Sequence, residues 1–188
     1  PGRRPFNEGE EGMTVIRPIV RDVLFLSRRS EPAAPQDRAV GRDLQDTLQA
    51  NRDRCVGMAA NMIGVNKRVI IVNVGFMNVV MYNPVMLAKD TPYEAEEGCL
   101  SLDGVRKTTR WQNIEIEYLD AAWKPRRQRL SGWTAQIVQH EMDHLDGKMF
   151  VDRATPIRKK MIAAKLNKIA EGKVRTHYKV ARLSPRKK

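Results

Sequence analysis

The chain has 188 residues, 41% of them apolar, and 34 Lys and Arg against 22 Asp and Glu give it a net charge of +12. That length suits one domain with one buried core and one active site, which argues against an array of modules. The longest apolar run, 69–82, is broken by Asn73, Gly75 and Asn78, so nothing reaches the ~20 apolar residues of a membrane helix.

Residues 1–12 show no apolar period and precede Met13, which reads like a natural start, so they are read as a tag or disordered arm. There is no basic start followed by an apolar stretch and a small-residue cleavage site, and the cytoplasm is the expected location. A first helix is predicted over 37–51, where Val40, Leu44 and Leu48 recur every four residues. The string CVGMAANMIG at 55–64 is small and glycine-containing, and is read as a loop that lets another backbone approach. Strands are predicted at 69–74, at 79–87 around Asn83-Pro84, at 114–119 and, shorter, at 128–130. Ser131 is the expected N-cap of a helix over 132–146 that Gly147 ends, and a last helix is predicted over 156–171. This order predicts an α+β fold, mainly antiparallel sheets wrapped around a central helix, with a C-terminal helix. The domain is expected over 13–172, followed by a basic tail at 173–188.

The charge is unevenly spread. Residues 156–188 hold twelve Lys or Arg and a single acid, Glu171, and the rest of the chain is nearly neutral. Such a segment gains by displacing counterions from phosphates, which points to the ribosome or ribosomal RNA as a partner. A solvated terminal helix is the plainer alternative. Only two cysteines occur, Cys55 and Cys99, so a disulfide framework is not expected and a reduced thiol is.

Two of the three histidines lie four residues apart in His140-Glu141-Met142-Asp143-His144, on a segment already read as helical. Positions four apart differ by about 40° around a helix, so both imidazoles project from one face and can reach one ion. Ala135, Val138, Met142 and Leu145 form an apolar stripe beside that face, and Glu141 falls between the two, placed for proton transfer. A catalytic ion that keeps one position for water needs a third protein ligand. Cys99, in the string EGCLS at 97–101, is the candidate, since a cation deprotonates a bound thiol. Such a donor set accepts iron, zinc, nickel or cobalt.

HEMDH, EGCLS and the upstream small-residue segment together resemble the three-motif signature of peptide deformylases, and the likeness extends over about 37–152, through the NP dipeptide and the FVDR run at 150–153. The resemblance implies that Cys99, His140 and His144 bind one divalent metal, usually ferrous iron, and that Glu141 is the acid-base residue. It also implies the reaction, removal of the formyl group from the N-formylmethionine of new polypeptides. By the same resemblance the backbone amide of Leu100 supports the oxyanion, and Val56 and Gly57 line the substrate cleft. Ile137, one turn before His140, is the candidate wall of the methionine pocket, with a place in the core as the alternative. The family's first motif has a glutamine where this chain has Met62, and a glycine where it has Cys55. A thioether donates no hydrogen bond, so an oxyanion donor is missing at Met62, and Asn61 substitutes for it only if the loop shifts by one residue. Two other readings remain open: a ribosome-associated deformylase-like protein with weak or lost activity, and a zinc peptidase with the same HExxH helix.

Overall fold

A computed structural model describes residues 13–148 and 180–181. Its main sheet has five strands: β2 (Gly57–Ala59), β3 (Val69–Asn73), β4 (Asn78–Cys99), β5 (Leu102–Leu119) and β6 (Pro125–Ser131). They lie side by side in sequence order, every pair antiparallel. A separate parallel pair joins β1 (Ile19–Val20) to β7 (Val180–Ala181). Three α-helices, α1 (Val23–Leu26), α2 (Arg38–Ala50) and α3 (Gly132–Leu145), and two 3-10 turns complete the elements of the described residues. The expected α+β architecture with a central helix is what forms.

The packing follows the apolar periods. β3 is a β-branched run whose first four residues are buried, and both α2 and α3 pack on it. Leu44 and Leu48 turn inward from α2, and Gly41 brings that helix onto Tyr82, whose hydroxyl donates to Arg38 O at 3.0 Å. Along β5, Ile114, Ile116 and Tyr118 are buried in strict alternation, and Thr108 and Arg110 continue the same inward phase. Every residue of α3 from Ala135 to Leu145 is buried, as a helix enclosed by sheet must be.

Several expectations need correction. Residues 55–64 are no loop: they form β2 and a 3-10 turn over Ala60–Ile63, buried throughout from Gly57 to Ile63. Small side chains here serve close packing. A Cβ on Gly57 would stand 2.5 Å from Ile137 Cγ2 and 2.8 Å from Glu141 Oε1, so only glycine lets β2 lie against α3. β4 and β5 outrun the predicted strands because they make one long hairpin, in which backbone pairing carries exposed polar stretches such as 89–92. β6 is likewise longer than 128–130. Ser131 occupies the N-cap position of α3, but its side chain makes no capping hydrogen bond. Gly147 does end α3: it has φ of 69° and donates to His144 O, and Lys148 N donates to Asp143 O at 2.7 Å.

The arm at 1–12, the predicted helix at 156–171 and all of the basic tail except Val180–Ala181 lie outside the described residues. No helix among the described residues is long and apolar enough to cross a membrane.

Candidate metal centre

The long hairpin delivers Cys99. It ends β4 at the two-residue turn Leu100–Ser101, beside the successive turns of α3 that present His140 and His144. Cys99 Sγ lies 3.3 Å from His144 Nε2, which lies 3.2 Å from His140 Nε2, and donor atoms of all three residues fall within 4.8 Å of one another. A tetrahedral ion with metal–nitrogen and metal–sulfur bonds of about 2.0–2.3 Å has donors roughly 3.3–3.6 Å apart. The triangle therefore fits a divalent ion, and one sulfur with two imidazoles is a donor set suited to such ions. Burial alone would raise the Cys99 thiol, yet the two imidazoles hold it well below its ordinary range, the thiolate-favouring state that a ligand needs.

Glu141 stands beside the triangle. Its Oε2 is buried with no hydrogen-bond partner among the described residues. Burial drives its carboxyl up to about 7, against the pull of both histidines. A carboxyl so tuned exchanges a proton readily near neutral pH.

Behind the triangle lies a buried ionic network that the sequence reading missed. Arg110 donates to both Glu97 oxygens, at 2.5 and 2.8 Å, and to Asp143 Oδ2 at 2.6 Å. Glu97 Oε2 lies 2.9 Å from His140 Nδ1. Burial opposes ionisation of Glu97, but its bonds to Arg110 and His140 win and hold it at about 2. An ionised carboxylate only accepts, so His140 Nδ1 carries the hydrogen and Nε2 is left to face an ion. The available signal was Arg110 itself, a charge in the inward phase of β5 that demands a buried counterion.

A cavity of about 110 Å³ opens in front of the triangle. Ile137, His140 and Glu141 of α3 form one wall, and Val56, Gly57 and Met62 form a second that adjoins it where Gly57 meets Ile137. Cys99 and Leu100 border the cavity as well. Of the residues singled out from the sequence for the site, only His144, which joins the triangle from behind His140, and Asn61 do not line the cavity. Asn61 does not stand in for the missing glutamine. Its amide donates to His144 O at 2.8 Å, and Asn61 is not among the residues lining the cavity. Met62 Sδ accepts from Ala59 N at 3.4 Å. Cys55, for which the sequence assigned no role, lines the cavity and donates its thiol hydrogen to Gly57 O at 2.7 Å, and burial pushes that thiol up. Val56 O is taken by Asn73 N, so strand alternation turns the amide of Gly57 away from β3, toward the open edge of the sheet.

Comparison with known proteins agrees with this geometry. The family described as Polypeptide deformylase matches residues 16–160. A peptide deformylase of Clostridium beijerinckii is 55% identical over 133 residues, covering 71% of this chain and 98% of its own. One of Alkalilimnicola ehrlichii is 34% identical over 169 residues, 86% of this chain and 95% of its own. Among solved structures, a peptide deformylase from Legionella pneumophila has a TM-score of 0.74 at 29% identity, over 86% of this chain and 99% of its own. A class I type b enzyme from Acinetobacter baumannii with Met-Ala-Ser bound has a TM-score of 0.69 at 30% identity, over 76% and 100%. With a matching family over most of the described residues, relatives aligned nearly end to end, and a thiol and two imidazoles gathered beside an acid, the chain belongs to the peptide deformylase family.

Proposed function

We infer that Cys99, His140 and His144 hold the divalent ion with which this metal-dependent deformylase removes the formyl group of N-formylmethionyl peptides, and that Glu141 moves the protons. The observation that carries the assignment is the 3.2 and 3.3 Å triangle of donors with an unpartnered Glu141 oxygen beside it. When bound, the ion acidifies water and polarises the formyl oxygen. Glu141 takes the proton of the attacking water and returns it to the amide nitrogen, which leaves as an amine only once protonated. The backbone N–H of Leu100, next to Cys99, supports the charge that develops on the formyl oxygen. The open edge at Gly57 pairs with the extended substrate backbone as an added strand, and Ile137 borders the methionine side chain. That the Acinetobacter baumannii relative holds Met-Ala-Ser, the peptide left after deformylation, supports a peptide of this kind as the substrate.

Ferrous iron is the ion we assign, with zinc, nickel and cobalt accepted by the same donors. The twelve cations of 156–188 support docking to ribosomal RNA in the cytoplasm, which co-sedimentation with ribosomes with and without residues 173–188 checks. The deciding experiment is formate release from formyl-Met-Ala-Ser by protein purified without oxygen. Glu141→Gln should keep its metal and lose about 10²–10⁴ in kcat. Unformylated peptides cut internally, with no formate released, would make the chain a peptidase instead.

A further inference from the structure

Trp133, Gln136, Ile137 and His140 follow one another at helical spacing and line the cavity from its mouth to the metal triangle. Trp133, exposed, stands at the entrance, while Gln136 and Ile137 are buried. Gln136 is polar where its neighbour on the wall is apolar, and no step of the hydrolysis uses it. Its amide is held on two sides: Oε1 accepts from the Tyr93 hydroxyl at 2.9 Å, and Nε2 donates to Glu96 O at 3.2 Å. A tyrosine hydroxyl can donate or accept, whereas a main-chain carbonyl only accepts, so Glu96 fixes which end of the amide is nitrogen. One of the two amide hydrogens is spent on Glu96 O. The other has no acceptor among the described residues.

Gln136 sits one turn before His140, about 6 Å along the helix axis. In a formylmethionyl substrate whose carbonyl lies at the triangle, the thioether sulfur is four bonds beyond the scissile nitrogen, a comparable reach. Resting on the deformylase reading, we propose that Gln136 determines side-chain specificity: its remaining amide N–H recognises an acceptor at the sulfur position of the first residue. A thioether is a weak acceptor and a sulfoxide oxygen a strong one, while norleucine has the shape of methionine and accepts nothing. A norleucine side chain leaves the buried N–H unpaired, and this is the source of discrimination. An all-apolar pocket would treat methionine and norleucine alike and would reject the sulfoxide.

The test compares kcat/KM for formyl-Met-Ala-Ser, its norleucine analogue and its methionine-sulfoxide analogue. Wild-type protein should favour methionine over norleucine by about tenfold and should hydrolyse the sulfoxide. Gln136→Met, close in volume and without a donor, should bring the methionine to norleucine ratio to about one and abolish sulfoxide turnover. Tyr93→Phe removes one anchor of the amide and should lower the ratio partway, which also serves if Gln136→Met fails to fold. A wild-type ratio of one, or a ratio that neither substitution changes, overturns the proposal while the deformylase reading stands. Absence of formate from all three peptides overturns that reading, and this proposal with it.

Discussion

The two walls of the cavity are built on opposite principles. On the α3 side, charge is matched to charge across elements: Glu97 and Arg110 reach in from β4 and β5 to hold His140 and Asp143. On the 55–62 side, polar groups are mostly spent close by in sequence, Cys55 on Gly57 O and Met62 on Ala59 N, and only Asn61 reaches out, to His144 O. One wall therefore sets electrostatics, and the other sets shape. Substitutions should fail for different reasons on each.

Arg110→Ala tests the first wall hardest. It leaves Glu97 and Asp143 buried without their cation, which should cost about 3–5 kcal/mol in urea unfolding, and should weaken metal binding about 10–100-fold by freeing His140. Unchanged stability would show the network to be dispensable. Glu141 gives a pH signature on the same wall. With its carboxyl near 7 in the fold and 4.5 when exposed, the metal-free native state keeps a proton that the unfolded chain releases between those values. Its contribution is full below pH 4.5 and is lost as the pH rises to 7, a change of about 3 kcal/mol. Melting of metal-free protein should fall across that window, and Glu141→Gln should remove this part of the fall. Glu97, at about 2, acts in the opposite sense, losing stability as the pH drops below 4.5.

The second wall predicts steric and donor effects. Gly57→Ala sets a methyl against Ile137 and Glu141, and should cost about 1–3 kcal/mol and raise KM, with no change in metal content. Retained stability and KM would mean that β2 and α3 move apart easily. The smallest effect is a gain. Met62→Gln restores an amide to the cavity and should raise kcat about tenfold, whereas Asn61→Ala should lower stability without altering the oxyanion site. If Met62→Gln gives no increase, a missing donor does not limit this chain.

These walls also differ in how far the sequence reveals them. HEMDH is local: helical spacing alone brings two imidazoles and a carboxylate together, whereas Cys99 is only a candidate third ligand until its string EGCLS is matched to the family. The cavity's other side is hidden, because a run such as Gly57, Ala59, Ala60 and Asn61 has no apolar period, and small residues buried on every side read like a loop. Strand lengths were underestimated for a related reason, since stretches of the hairpin such as 89–92 are carried by main-chain pairing with exposed side chains and no apolar alternation. Glu97, Arg110 and Asp143 lie 13 and 33 residues apart along the chain, and only the inward phase of Arg110 hinted at their meeting.

Because the five strands neighbour one another in the order in which they are made, the meander can form from the N-terminal side before α3 leaves the ribosome. Cys99 would then wait, sulfur exposed, for histidines still to be synthesised. Pulsed alkylation during refolding should find this thiol protected only in step with the docking of α3. Protection that comes earlier would mean that helix and hairpin assemble together.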